Sequence, residues 1–100
     1  MEHPMNRLHA LEILARSKAT LAERYRVKRL ALFGSTARDA ARSDSDVDIL
    51  VGFDGPATSE RYFGVQFYLE DLFGCGVDLV TDKALRAELR PCIEKEAVDV

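Results

Sequence analysis

Three aspartates and one glycine–serine pair are the residues of this chain best suited to chemistry. Asp46 and Asp48 lie two apart in Asp46-Val47-Asp48-Ile49-Leu50-Val51-Gly52-Phe53. In an extended segment alternate side chains share a face, so the two carboxylates project together, roughly 6–7 Å apart at about 3.3 Å per residue. Val47, Ile49, Val51 and Phe53 take the opposite, apolar face. Burial of that face fixes the register and sends both carboxylates outward together. Like charges held side by side raise a pKa unless a cation intervenes. Magnesium answers that need, because it prefers hard oxygen ligands and keeps positions open for substrate phosphates. Asp78 stands inside another short apolar run, Val77-Asp78-Leu79-Val80, where a charge calls for a partner. If that strand lies beside the first, three carboxylates meet, as a two-metal site requires. Taken singly, each of these aspartates is explained as well by the solvated face of a half-covered sheet.

The second feature is Leu32-Phe33-Gly34-Ser35-Thr36-Ala37-Arg38. Gly34 permits a tight turn and close approach to the backbone. A helix beginning there presents free N–H groups and a positive dipole end toward phosphate. Ser35 adds a hydroxyl donor, and Arg38 could clamp a phosphate oxygen. Alone, such a turn is weak evidence, since plain capping turns are far commoner, and Arg38 could simply pair with Asp39 or Asp44 on the surface. Other motifs fail on spacing. Asp44-Ser45-Asp46-Val47-Asp48 begins like an EF-hand loop, but Ile49 and Gly55 stand where that loop needs Gly and Glu. No Gly-Lys-Ser/Thr follows Gly34, and no GxGxxG is present. A DxD also marks sugar-nucleotide transferases, which generally need a larger fold.

These residues need elements to position them. Leu8, Leu11, Ile13, Leu14, Leu21 and Ala22 give residues 4 to about 25 a helical apolar face, with Pro4 in the first turn. Residues 27–33 read as a strand, 36–41 as a short helix, 42–46 as a turn and 46–53 as the clearest strand, ended by Asp54-Gly55-Pro56. Thr58 or Ser59 can cap a helix over about 60–73, whose apolar residues are Phe63, Phe67, Leu69, Leu72 and Phe73, with Gly74 as its stop. Residues 76–81 read as a strand and 83–90 as a helix that Pro91 interrupts, with a last short helix or strand after it. Helices alternating with strands predict an α/β arrangement around a small sheet. The pattern leaves open whether that sheet is parallel or mixed.

Composition bounds the function. One hundred residues predict a single domain, 1–100, with one modest core. A net charge of −3 argues against a general nucleic-acid binder, though a metal ion can supply positive charge for a nucleotide. No apolar run approaches the roughly 18 residues of a membrane span. Met1-Glu2-His3-Pro4 lacks a signal-peptide pattern, so no membrane association and a cytoplasmic location are expected. Cys75 and Cys92, far apart, read as buried packing residues, and His3 and His9 as solvent-exposed.

Gly34-Ser35, ten residues, then Asp46-Val47-Asp48 resembles the signature of the DNA polymerase beta-like nucleotidyltransferase superfamily. The fuller string, Phe33 to Arg38 and Ser43 to Val51, is similar to its minimal nucleotidyltransferase group, which includes MntA-type antitoxins. The resemblance runs from about residue 5 to the end. It implies a small mixed sheet flanked by helices. It implies that Gly34 and Ser35 hold the triphosphate of ATP, with Arg38 as the arginine that follows the pair. Asp46 and Asp48 would ligate magnesium, two ions with ATP bound. Asp78 would complete the catalytic and metal site and help activate an acceptor hydroxyl. In that group the partner is typically a HEPN-type toxin, in a hetero-oligomer, and relatives transfer AMP to a tyrosine of it. Two alternatives stay open. One is a non-catalytic antitoxin that binds through the N-terminal helix or the aromatic Tyr62–Phe73 segment, where Tyr62, Phe63, Phe67, Tyr68 and Phe73 outnumber what a core needs by one or two. The other is a nucleotidyltransferase acting on a small molecule such as an aminoglycoside.

Overall fold

A computed structural model describes residues 6–38 and 46–100. Helix α1 spans Arg7–Tyr25. It starts where the Asn6 side chain accepts a hydrogen bond from the His9 N–H at 2.8 Å, a standard N-cap. Pro4, expected in the first turn, lies outside the described residues. Ala10, Ile13, Leu14, Ser17 and Leu21 form the buried stripe, at the three- and four-residue spacing of one helix face. Leu8, two residues before the first of these, points away and is 70% exposed. Ala22 is exposed too, so the apolar face is narrower than a count of apolar residues suggests.

Strand β1 (Val27–Phe33) runs directly into α2, a single turn at Gly34–Ala37. The short helix expected at 36–41 thus begins earlier, because Gly34 itself turns the chain; residues 39–45 lie outside the described set. Strand β2 (Val47–Phe53) follows, then α3 (Ser59–Phe73), capped by Thr58 and stopped by Gly74, then β3 (Val77–Thr81). The helix expected at 83–90 is absent. Asp82–Ala84 make one 3-10 turn instead, and α4 spans Arg90–Glu96 before a two-residue strand β4, Val98–Asp99. Pro91 therefore starts a helix rather than interrupting one. At the first turn its missing N–H costs nothing, and its fixed φ suits the helix.

The sheet order is β3-β2-β1-β4. β1 pairs antiparallel with β2 and with β4, while β2 and β3 run parallel through the α3 crossover. The sheet is mixed. One face carries the main core: Leu30, Leu32, Val47, Ile49, Val51, Val77 and Leu79 pack against α1 and against Val65, Leu69 and Phe73 of α3. Of the α3 residues expected to be apolar contacts, Phe63, Phe67 and Leu72 are instead about half exposed or more.

The second face is not simply solvated. Ala31, Phe33, Leu50 and Leu85 are buried there, with Val80, Ile93 and Ala97 packed against them. This is the parity of Asp46, Asp48 and Asp78. Arg29 fastens α4 and β4 to this face, donating from Nη2 and Nη1 to the two Glu94 oxygens at 2.6 and 3.1 Å and from Nε to Asp99 at 2.8 Å. These bonds to Glu94 and then Asp99 raise the guanidinium pKa still further, so the anchor holds its charge throughout. Arg90 adds bonds to the Asp82 carboxylate and carbonyl at 3.0 and 2.7 Å.

The outer edge of β3 is covered by a polar row on α3. Tyr62 Oη donates to the Leu79 carbonyl at 2.6 Å, Gln66 Nε2 donates to the Val77 carbonyl at 3.2 Å, and Glu70 accepts from the Val77 N–H at 3.2 Å. Residues 62, 66 and 70 recur every four positions and so line one side of the helix. They satisfy backbone groups that would otherwise offer an open edge for pairing, and they fix the strand that carries Asp78.

Candidate active site

The site forms where β1 ends and β2 and β3 begin. Register sets it: Phe33 lies opposite Asp48 across the β1–β2 pair, and Asp48 lies opposite Asp78 across the β2–β3 pair. Three neighbouring strands therefore bring Gly34, Asp48 and Asp78 to one end of one face. Gly34 is buried with φ +74°, a conformation that glycine adopts without strain. It also has no room for a side chain, since a β-carbon there would lie 2.8 Å from Asp48 Cγ and closer still to its Oδ2. The carboxylate of Asp48 thus rests directly on the loop backbone.

Asp46 is exposed and Asp48 half-buried. The outward projection expected of both holds fully for Asp46 only, because the Gly34 loop lies against the Asp48 carboxylate. Asp46 packs against Gly76, where a β-carbon would come within 3.1 Å of Asp46 Cγ. Asp78 is exposed. Ser35 is half-buried beside Gly34, and Thr36 is fully buried with no hydrogen-bond partner for its hydroxyl among the described residues. Arg38 is exposed at the end of α2.

The electrostatics follow from this crowding. The Asp48 carboxyl is pushed up from its ordinary 3.8 to about 6. Burial is the largest cause, followed by the Asp78 charge, hydrogen bonding to Asp78 and the Asp46 charge, with Arg38 opposing them. A cation placed among these carboxylates would reverse that balance. Among the described residues, however, no three acidic, His or Cys side chains stand close enough to hold a metal ion by themselves. The three-carboxylate set expected from Asp46, Asp48 and Asp78 is thus not closed here; an ion such as magnesium, which needs only one or two carboxylates and fills its other positions with phosphate and water, can still use Asp48 with one neighbour.

Two residues of the site went unmarked in the sequence. Glu96, at the end of α4, reaches the loop: its Oε1 accepts from the Gly34 N–H at 3.1 Å, and its Oε2 accepts from Arg38 Nη1 at 2.8 Å. Arg38 is thus paired with Glu96. Nothing in the local sequence signals this contact, which spans 62 residues. Gly76 looks in the sequence like the start of a strand and no more; its place two residues before Asp78 is the available signal. Cys75 is half-buried beside it, and burial, then Asp46 and Glu70, push its thiol above the usual range, which makes it a poor nucleophile. Cys92 is exposed rather than buried, and His9 is exposed as expected. Among the described residues no helix is long and apolar enough to cross a membrane.

Known proteins share this fold. A nucleotidyltransferase domain family matches residues 14–100. The protein adenylyltransferase MntA of Thermococcus cleftensis is 39% identical over 88 residues, covering 88% of this chain and 89% of that one. A solved structure of a candidate minimal nucleotidyltransferase superposes with a TM-score of 0.76 at 35% identity, covering 91% of this chain and 95% of the other. A structure of a tri-AMPylated Shewanella oneidensis HEPN toxin with its MNT antitoxin shares the fold at a TM-score of 0.63 and 17% identity, covering 88% of this chain and 69% of that one. The chain therefore belongs to the nucleotidyltransferase domain family, as a minimal member related to the MntA protein adenylyltransferases.

Proposed function

We propose that this chain is an antitoxin that transfers AMP from ATP to a hydroxyl, a tyrosine in our reading, of a HEPN-type toxin. The observation that carries the proposal is the juxtaposition of the Gly34 loop with Asp48 and Asp78 across three strands in register. The kinship with MntA supports the protein acceptor. The Shewanella complex supports a HEPN-type partner and a hetero-oligomer.

In this mechanism the Gly34 N–H, the Ser35 hydroxyl and Arg38 hold the triphosphate, as donors around a tight turn can. The acceptor oxygen bonds to the α-phosphorus as the bond to the pyrophosphate oxygen breaks, and Asp78 takes the acceptor's proton. Asp48, together with Asp46 or Asp78, would hold magnesium, which when bound would neutralise the triphosphate and stabilise the leaving pyrophosphate. Asp48, held by Gly34 on one side and Asp78 on the other, places the acidic cluster directly against the phosphate loop.

Incubation with labelled ATP, magnesium and the protein encoded beside this chain, which the proposal expects to be a HEPN-type toxin, tests the proposal. Label should appear on the toxin, on tyrosine, and an Asp46→Asn, Asp48→Asn variant should transfer none. Absence of label with an active control adenylyltransferase overturns it. One observation favours a second reading, stoichiometric neutralisation. Phe63 and Phe67 stack with ring centroids 6.1 Å apart on the exposed side of α3, and an exposed aromatic pair suits an interface. Full neutralisation by the double Asn variant would select that reading.

A further inference from the structure

Glu96 engages two of the groups that the proposed function assigns to the triphosphate. One of its oxygens takes the Gly34 N–H and the other takes the Arg38 guanidinium. A carboxylate is the side-chain group that most resembles a phosphate edge, being anionic, planar and a double acceptor. Its approach is imposed by the fold behind it. Ile93 and Ala97 pack under the sheet, Glu94 is bonded to Arg29, and Val98 pairs with Leu32 of β1. Glu96 lies within this anchored stretch, so its carboxylate is presented to the loop.

We propose that Glu96 is an internal occupant of the phosphate subsite, which nucleotide must displace, and that it thereby sets the affinity for ATP. The proposal rests on the reading that Gly34 and Arg38 bind phosphate. The Gly34 backbone has a single N–H for two anionic acceptors, and a carboxylate seated on it repels a phosphate approaching the same loop, so occupancy by one disfavours the other. Displacement requires only rotation about the bonds of the Glu96 side chain; α4 and β4 keep their anchors. The contact is easily displaced, because the Arg38 side chain is 56% exposed and the Glu96 side chain 30%, and pairs so accessible to water contribute little.

The test is the affinity for ATP with magnesium, measured by calorimetry on the full chain, with melting of each variant confirming the fold. Glu96→Gln keeps an acceptor for the Gly34 N–H but removes the charge, and should bind about fivefold more tightly than wild type, the size expected for a weak exposed ion pair. Arg38→Ala should bind more weakly. If Arg38→Ala weakens binding but Glu96→Gln weakens it too or leaves it unchanged, Glu96 merely positions Arg38 and the proposal is overturned while the phosphate site stands. Unchanged affinity in Arg38→Ala sinks the assignment of Arg38 to phosphate, and the proposal with it. A second measurement needs no variant: the side-chain carboxyl carbon resonance of Glu96 in labelled wild type should move to that of a free glutamate on addition of ATP and magnesium. A resonance that does not move at saturation also overturns the displacement.

Discussion

Replacing Asp48 by Asn should stabilise the protein in the absence of metal, although it removes a residue that the proposed chemistry requires. The folded state holds the Asp48 carboxyl at about 6 against an ordinary 3.8. A group whose folded pKa is raised binds more protons in the folded than in the unfolded state between those two values. Stability is therefore fully present below the lower value and is lost as pH rises through the higher one. A shift of about two units corresponds to ~3 kcal/mol at most. Asp48 is only half-buried, so screening by water reduces this to ~1–2 kcal/mol. Asn is nearly isosteric, fits above Gly34 equally well, and carries no charge for Asp78 and Asp46 to repel.

Urea unfolding of wild type and Asp48→Asn, with chelator present, measures the difference. At about pH 8 the variant should be more stable by ~1–2 kcal/mol, or several degrees in melting temperature for a domain of this size. Linkage requires the gap to shrink to about half by about pH 5 and nearly to close by about pH 4. Magnesium with ATP should then reverse the order, because a ligand that binds only the folded wild type stabilises it by mass action. A variant no more stable than wild type at pH 8, or a gap independent of pH, would refute the account of Asp48 as a carboxyl strained by burial and by its acidic neighbours.

Other outcomes follow from the same geometry. Gly34→Ala forces an unfavourable backbone conformation and drives a methyl into Asp48; it should cost ~1–3 kcal/mol in urea unfolding and abolish AMP transfer. Gly76→Ala meets the flexible Asp46 carboxylate rather than backbone, so it should lower activity and raise the magnesium concentration needed for half-maximal rate, with a stability change under about 1 kcal/mol. Tyr62→Phe removes the bond to the Leu79 carbonyl at the sheet edge and should cost ~1 kcal/mol, with faster amide exchange in β3 as its signature. Arg29→Ala leaves Glu94 and Asp99 without their shared cation; ~1–2 kcal/mol of lost stability and loosening of α4 by hydrogen exchange are expected.

What could be read from the sequence divides along physical lines. Strands β1, β2 and β3 carry strong local signals: apolar runs bounded by Gly34, Asp54-Gly55-Pro56 and Gly74. Helix α3 has a capping residue and a terminating one, Thr58 and Gly74, whereas α1 ends without a stop signal, at Arg26 in the left-handed region. Because alternation is local, it also predicts a common face for Asp48 and Asp78, which lie opposite each other in the β2–β3 register. The misjudged parts depend on distant contacts. Phe63, Phe67 and Leu8 look like core residues in a count of apolar side chains, but helical phase places them outside. Pro91 looks like a breaker, and only its position at the first turn of α4 shows it to be an initiator. A two-residue strand such as β4 has no period to detect; it forms because β1 offers it an edge.

Glu96 shows why the candidate site was legible only in part. The loop and the aspartates are recognisable because their roles demand fixed residue types at fixed spacing along adjacent strands. The group that occupies the loop lies 62 residues further along the chain, and it is positioned by the bonds of Arg29 to Glu94 and by the packing of Ile93 and Ala97 against the sheet, contacts that no local pattern announces. Its residue type is the commonest on protein surfaces, so no rule of spacing could single it out. The loop that Glu96 occupies is also the one that lies against Asp48, because Gly34 donates its N–H to Glu96 and its Cα faces the Asp48 carboxylate. Burial of Asp48 and occupancy of the phosphate loop therefore meet at one residue, Gly34. If that is right, loosening α4 through Arg29→Ala should shift both quantities together. The Asp48 carboxyl should fall back toward its ordinary range as water enters, and ATP affinity should rise as Glu96 loses its seat. Carbon resonances of labelled Asp48 followed against pH, with calorimetry on the same variant, would measure both. Movement of one without the other would mean that α4 controls only that one.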